Sequence, residues 1–450
     1  MKHLKYCILA TLSFVFFNTQ AQLIKGQLNA SLRADINMHL GHYEGNEIIE
    51  DETVELKNGQ FVFPSKTRKS GVYVLYTTKK HKHVPFIIDK EPVFEVHIKD
   101  SGFRNFTIVQ GEESKLYAAY IKREKALNKK VKPLKRQFAS MPNGPEKQAL
   151  DAKLNELYKT FFDETSVDIQ KLPNSFFSKI VLSMDADNKT DRYQYFSDID
   201  FTDERLIRTK VFSTRYRDYF MNYAKGDKYG FMDCVDDIME KAKANQAVYE
   251  FSALTLINGF YNTSGFEEVV NYILDTYVFG EDCGGIKVGE YLKRQGESIQ
   301  KLQVGSETFD INLKDINNQP KSLIGIAKEN TYTLLMFWAS TCKHCEEQMP
   351  EIKALYTRYQ PKGFELFSFS IDEKAQAWKA AVQNNKTDLW INVNDTRGWD
   401  APATDQFRIV KTPSFLLLDS RGRIVAKPRH VSEIKTSLEA LDRAGGFSDN

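Results

Sequence analysis

Three patterns of apolar and polar positions follow one another along the chain. From Gln22 to about Gly111, apolar and polar residues alternate at period two. Examples are Ala34-Asp35-Ile36-Asn37-Met38-His39-Leu40, Gly71-Val72-Tyr73-Val74-Leu75-Tyr76 and Pro92-Val93-Phe94-Glu95-Val96-His97-Ile98. Successive side chains of a strand point to opposite faces, so this spacing predicts strands with one buried face. Asn58-Gly59, between Val54-Glu55-Leu56 and Phe61-Val62-Phe63, predicts a hairpin turn. Residues 22–111 therefore read as an N-terminal antiparallel β-sandwich.

Over residues 112–300 the period lengthens. Leu116, Tyr117, Tyr120 and Ile121, then Leu150, Leu154, Leu157, Tyr158 and Phe161, recur at helical spacing, and Pro142-Asn143-Gly144-Pro145 separates the two runs. This stretch predicts a helical domain. Over residues 303–450 strands and helices alternate. Thr333–Trp338 is a short buried strand, Cys342–Tyr359 a helix, Phe364–Ile371 a strand, Lys374–Asn384 a helix and Ser414–Leu418 a strand. Arg421-Gly422-Arg423 then turns into Ile424–Ala426. The order predicts an α/β sheet ending in a hairpin. The expected fold class is multidomain: a β-sandwich, a helical middle region and a C-terminal α/β domain. A length of 450 residues accommodates about three such units.

Before these regions, Lys2, His3 and Lys5 precede the apolar run Cys7–Phe17, with small Ala21 closing the stretch. Such a run is about 16 Å long as a helix, half a bilayer core, which suits a signal peptide over residues 1–21 rather than a permanent anchor. The expectation is a periplasmic or otherwise exported protein, soluble after cleavage. Losing Lys2 and Lys5 takes 62 basic residues to 60, against 60 acidic ones. A balanced chain has no global attraction for nucleic acid, which is excluded as a partner. A content of 42% hydrophobic and 27% charged residues excludes a disordered or collagen-like chain.

Export changes what the cysteines mean. Removing Cys7 leaves Cys234, Cys283, Cys342 and Cys345 in a compartment where disulfides persist. Cys234 and Cys283 are a candidate structural disulfide in the helical region, with two free thiols as the alternative. Cys342-Lys343-His344-Cys345 starts a helix, which brings two sulfurs within bonding reach on one face. At the helix terminus, free N–H groups and the dipole favour a thiolate on Cys342, the attacking species. Cys345, one turn further in, would resolve the mixed disulfide. Lys343 and His344 would tune the thiolate, and Lys411-Thr412-Pro413 before a strand is a candidate cis bond. Zinc binding would need two more ligands, and no second C-x-x-C or paired His supplies them, so neither metal nor cofactor is expected. Asp185-Ala186-Asp187-Asn188-Lys189-Thr190-Asp191 lacks calcium-loop spacing and reads as a loop. His81 and His83 read as a solvated hairpin tip.

Residues 303 to about 441 resemble the TlpA/ResA-like thiol–disulfide oxidoreductases of the thioredoxin fold. The signs are Phe337-Trp338-Ala339, Cys342 and Cys345, Pro350, the Phe364–Asp372 strand, Thr412-Pro413 and the Leu418-Asp419-x-x-Gly422 turn. The layout of the whole chain is similar to multidomain exported proteins of Bacteroidetes. The resemblance implies a cis Pro413 packed against the cysteines, with Thr412 offering its backbone to an extended segment of a protein disulfide or dithiol substrate. A redox partner protein is implied as well. Three positions depart from relatives: Thr341 replaces the Trp of many of them, Met336 the buried Asp of thioredoxins proper and Gln348 the Glu of ResA-like reductases. The reading is a reductase, with a disulfide isomerase or oxidase as the alternative because of His344. A partner-binding protein with secondary redox activity is the reading from another class.

Overall fold

Alternating positions of the first region do form strands. In the computed structural model, which describes residues 21–447 apart from 30–36, 78–79, 185–190, 262, 264 and 281–286, these are β1 (Gln22–Leu28), β2 (Asn37–Glu44), β3 (Glu47–Glu55), β4 (Gln60–Lys66), β5 (Gly71–Tyr76), β6 (His83–Ile88), β7 (Val93–Ile98) and β8 (Phe106–Gln110). The expected signal segment, apart from Ala21, and the acidic run at 185–190 lie outside the described residues.

Two sheets, β4-β1-β7-β8 and β3-β2-β5-β6, share one core. Ile24, Phe63 and Val96 of the first meet Leu40, Leu75 and Val84 of the second. Phe86 and Phe94 stack across the gap with ring centroids 3.9 Å apart. The sandwich is not antiparallel throughout: β1 runs parallel to β7, with Ile24 opposite Phe94. Parallel neighbours need a long connection, and β2 to β6 lie between these two strands in sequence. Asn58 and Gly59 both have left-handed backbone, at φ 51° and 75°. Their turn passes the chain from one sheet to the other instead of closing a hairpin ladder, since β3 and β4 belong to different sheets.

Helices α1 (Glu112–Ser140), α2 (Pro145–Lys171), α3 (Phe176–Met184), α4 (Val211–Tyr223), α5 (Lys228–Ala242), α6 (Gln246–Tyr261) and α7 (Glu267–Ile273) follow. The expected boundary at 111/112 is a joint inside one unit. Buried Ser114 at the start of α1 donates to the Ile87 carbonyl of β6 at 3.2 Å and accepts from its N–H at 3.1 Å. Glu113 accepts from the Phe177 N–H of α3 at 2.9 Å. His83 is not at a solvated tip either. It opens β6 half-buried, with Nε2 2.9 Å from the Tyr43 hydroxyl, and burial holds its pKa below the ordinary value.

The described residues fall into two compact units that meet at 288/289, beside the expected divisions 22–111, 112–300 and 303–450. The difference at the second boundary is α8 (Glu290–Lys301), which belongs to the C-terminal unit. Leu302 just after it packs in one cluster with Phe337 and Phe407, and Arg408 donates to Gln295. Helical spacing locates such a helix but does not say which core it covers.

The C-terminal unit continues with β9 (Asn312–Lys314), β10 (Pro320–Ser322), α9 (Leu323–Glu329), β11 (Tyr332–Trp338), α10 (Lys343–Tyr359), β12 (Phe364–Ser370), α11 (Ala375–Asn385), β13 (Ile391–Asn394), α12 (Pro402–Gln406), β14 (Ser414–Asp419), β15 (Ile424–Ala426) and α13 (Val431–Arg443). Its sheet has the order β13-β12-β11-β14-β15. The first three strands are parallel, β14 runs antiparallel to β11, and β15 antiparallel to β14. Both faces of β11 are covered, which explains its unbroken apolar run. Leu334, Met336 and Trp338 pack with Met349 and Ile352 of α10 and Ile434 and Leu438 of α13. Leu335 and Phe337 pack with Leu323 and Phe407 on the other face. Parallel β11, β12 and β13 all end at one edge of the sheet, where antiparallel β14 begins.

Candidate active site

At that edge β11 delivers the motif. Trp338 ends the strand, and the Cys342 N–H donates to the Ala339 carbonyl at 3.1 Å, closing a turn over 339–342. Cys342 caps α10 with extended backbone, and its sulfur accepts the Cys345 N–H at 3.1 Å. The Cys342 carbonyl accepts the N–H groups of Cys345 and Glu346 at 3.0 and 3.1 Å. A sulfur at this position sees the unpaired donors and positive pole of the helix. Cys342 and Cys345 are joined by a disulfide, with Cα atoms 5.3 Å apart. Cys342 is half-exposed, whereas Cys345 is 2% exposed and belongs to the core beneath the motif. One sulfur can be reached from outside and its mate cannot.

Lys343 and His344 project outward, their side chains 84% and 81% exposed. Both lie near Glu347, at 3.8 and 3.3 Å, so an acid one turn along offsets their positive charge. The Thr412–Pro413 bond is cis. Pro413 is buried and Thr412 half-exposed, just before β14. Ser414 pairs with Phe337, and one further step of that register sets position 413 opposite Trp338, four residues from Cys342.

Gln348 forms a bridge its residue type did not announce. Its carbonyl oxygen accepts the Val431 N–H at 3.0 Å, satisfying a free donor in the first turn of α13. Its amide donates to the His344 carbonyl at 3.2 Å. Sequence reasoning also missed a polar cluster under the motif. Buried Asp372, just past β12, accepts from the Ser340 N–H at 2.9 Å, the Ser340 hydroxyl at 2.6 Å and the Ser370 hydroxyl at 2.7 Å. Asn394, ending β13, donates to the carbonyls of Asp372 and Ser370 at 2.8 and 2.9 Å. The available signal was Ser370-x-Asp372 closing an otherwise apolar strand.

Of the candidate Cys234–Cys283 pair, the structure describes Cys234 alone. Cys234 is a free thiol, fully buried within α5, and burial pushes its pKa up to about 11. Cys283 lies outside the described residues. Among the described residues, no group of three or more His, Cys, Asp or Glu side chains is arranged to hold a metal ion, and no helix is long and apolar enough to cross a membrane.

Comparison with known proteins bears on this same region. A family described as thioredoxin-like matches residues 330–424. The chain is 33% identical over 147 residues to the thiol-disulfide oxidoreductase ResA of Oceanobacillus iheyensis, covering 32% of this chain and 71% of that protein. It is 29% identical over 128 residues to ResA of Bacillus cereus, covering 28% and 70%. Similar solved structures include a thiol-disulfide oxidoreductase from Bacteroides fragilis, with 28% identity, 30% of this chain and 97% of that one covered, and a TM-score of 0.28. The thioredoxin domain of a thiol-disulfide oxidoreductase from Bacteroides vulgatus has 26% identity, coverage of 31% and 97%, and a TM-score of 0.29.

Proposed function

This chain belongs to the TlpA/ResA-like thiol–disulfide oxidoreductases of the thioredoxin fold, and on that premise we propose that it reduces disulfides of partner proteins through Cys342 and Cys345. The observation that carries the proposal is the asymmetric pair: a half-exposed sulfur capping α10, bonded to a buried one a turn away. In the forward direction the Cys342 thiolate attacks one sulfur of a partner disulfide. A mixed disulfide forms and the partner's other sulfur leaves as thiolate. Cys345, deprotonated, then attacks the Cys342 sulfur, releasing the partner's second thiolate. The partner gains two electrons and two protons, and the protein is left with the Cys342–Cys345 disulfide. A dithiol redox partner must reduce that bond again.

Around this pair, Thr412 and Pro413 would align an extended substrate segment, and Lys343 and His344 would tune the Cys342 thiolate. The apolar run Cys7–Phe17 after Lys2, His3 and Lys5 supports an exported setting, in which such a couple meets protein disulfides. Replacement by serine of each cysteine tests the mechanism. Cys342→Ser is expected to abolish turnover of a model substrate such as insulin, and Cys345→Ser to accumulate a mixed disulfide. Full activity in both variants overturns the proposal. An oxidase or isomerase is the second reading, favoured by exposed His344 beside Cys345 and by Gln348 in place of a carboxylate. A reduction potential well below that of thioredoxin removes it.

A further inference from the structure

Three loops converge beneath Cys342, and one buried acid ties them together. Ser340 follows β11, Ser370 and Asp372 close β12, and Asn394 closes β13. The Asp372 carboxylate takes the Ser340 N–H at 2.9 Å and both hydroxyls at 2.6 and 2.7 Å, so each of its oxygens is engaged. Its own N–H donates to the Ser370 hydroxyl at 3.1 Å, and its carbonyl accepts from Asn394 at 2.8 Å. Ser340 is the second residue of the turn that the Cys342 N–H closes onto Ala339. Asp372 thus grips the turn that presents the attacking sulfur.

We propose that Asp372 is a positioning residue for Cys342, which it holds through Ser340 and biases toward giving up electrons. This rests on the reading of Cys342 as nucleophile. Two residues span at most ~7 Å, so a carboxylate bonded to Ser340 lies within about 10 Å of the Cys342 backbone. At that range in a poorly solvated site, one negative charge acts on another by about an order of magnitude in an equilibrium constant. It disfavours the Cys342 thiolate, hence the reduced form, and a disulfide whose reduced form is disfavoured is a weaker oxidant. Other charged groups nearby, Lys343, His344, Glu346 and Glu347 on α10 and Glu373 and Lys411 on adjoining loops, are exposed, where solvent screens them. Asp372 is 8% exposed.

Equilibration of the full chain with glutathione tests the role, read as the [GSH]²/[GSSG] ratio at which half of the Cys342/Cys345 pair is oxidised. Asp372→Asn removes the charge while keeping the shape, and the ratio is expected to fall about tenfold, or ~30 mV. Ser340→Ala removes one donor from the carboxylate and leaves its charge less compensated, so the ratio is expected to rise about two- to threefold. A residue that merely braces the loop would move both variants the same way. Shifts of one sign in both, or no shift in Asp372→Asn, overturn the proposal. If Asp372→Asn loses its near-ultraviolet circular dichroism, Ser340→Ala decides alone, and a fall or no change in its ratio overturns it. A wild-type pair that exchanges with glutathione at no ratio overturns the functional reading itself, and this role with it.

Discussion

Each unit of this protein contains a described cysteine site, and the two sites handle the same atom in opposite ways. Cys234 sits inside α5, fully buried, with burial raising its pKa to about 11. Cys342 sits at the cap of α10, half-exposed, with a backbone N–H aimed at its sulfur. Helix position and access, not residue type, separate an inert thiol from a reactive one. Buried polar groups divide the same way. In the N-terminal unit they join elements of the scaffold: Arg215, fully buried, donates to the Ser183 carbonyl and to Asp198, and Arg205 on the segment before α4 reaches Asp89 beyond β6. In the C-terminal unit Ser340, Ser370, Asp372 and Asn394 gather around the turn that leads into Cys342.

If the contrast is sound, damage to the first unit should leave the second unit's redox couple alone. The largest effect is expected from Phe86→Ala, which removes the ring stacked on Phe94 between the two sheets. It should destabilise the N-terminal unit by about 3–5 kcal/mol in calorimetry or denaturant unfolding. The glutathione equilibrium of Cys342/Cys345 should not move, and a shifted equilibrium would break the comparison.

A smaller effect is expected at Asp203. Burial opposes its ionisation, but hydrogen bonds from Arg205 and Lys179 win and hold its pKa at about 2. A folded value below the unfolded one near 3.9 stabilises fully above that pH, and the contribution fades as pH falls from about 4 to 2. Asp203→Asn should therefore cost about 1–2 kcal/mol at pH 7 and flatten the acid limb of the stability profile. An unchanged acid limb would show that other carboxylates govern it.

The smallest effect is expected from Cys234→Ala, which should change disulfide turnover by less than about twofold. In native protein at pH 8, iodoacetamide should leave Cys234 unlabelled until the unit unfolds. Rapid labelling would place Cys234 among the reactive thiols and erase the distinction drawn here.

Local pattern made much of this protein legible. Thr333–Trp338, Cys342–Tyr359 and Ile424–Ala426 were readable to within a residue, because an apolar run, a capped start and an Arg-Gly-Arg turn each carry their own signal. β13 went unread: Ile391–Asn394 is four residues long and is defined by pairing with β12 rather than by any period. α8 fell inside the stretch read as helical without being singled out, since amphipathic spacing shows that a face is buried and not against what.

By itself, the sequence determined the candidate site: two cysteines three apart at a helix start, a Thr-Pro before a returning strand, and the strand that delivers them. Those depend on neighbours in the chain, where bond geometry and the helix terminus set the outcome. Tertiary structure decided which polar residues stand behind that site. Asp372 reaches Ser340 across 32 positions and Gln348 reaches Val431 across 83, and both contacts exist only because parallel strands end at one edge and α13 folds back onto α10. Hydrogen bonds between distant segments leave no periodic trace in a sequence, which is why the support of the site had to be seen in three dimensions.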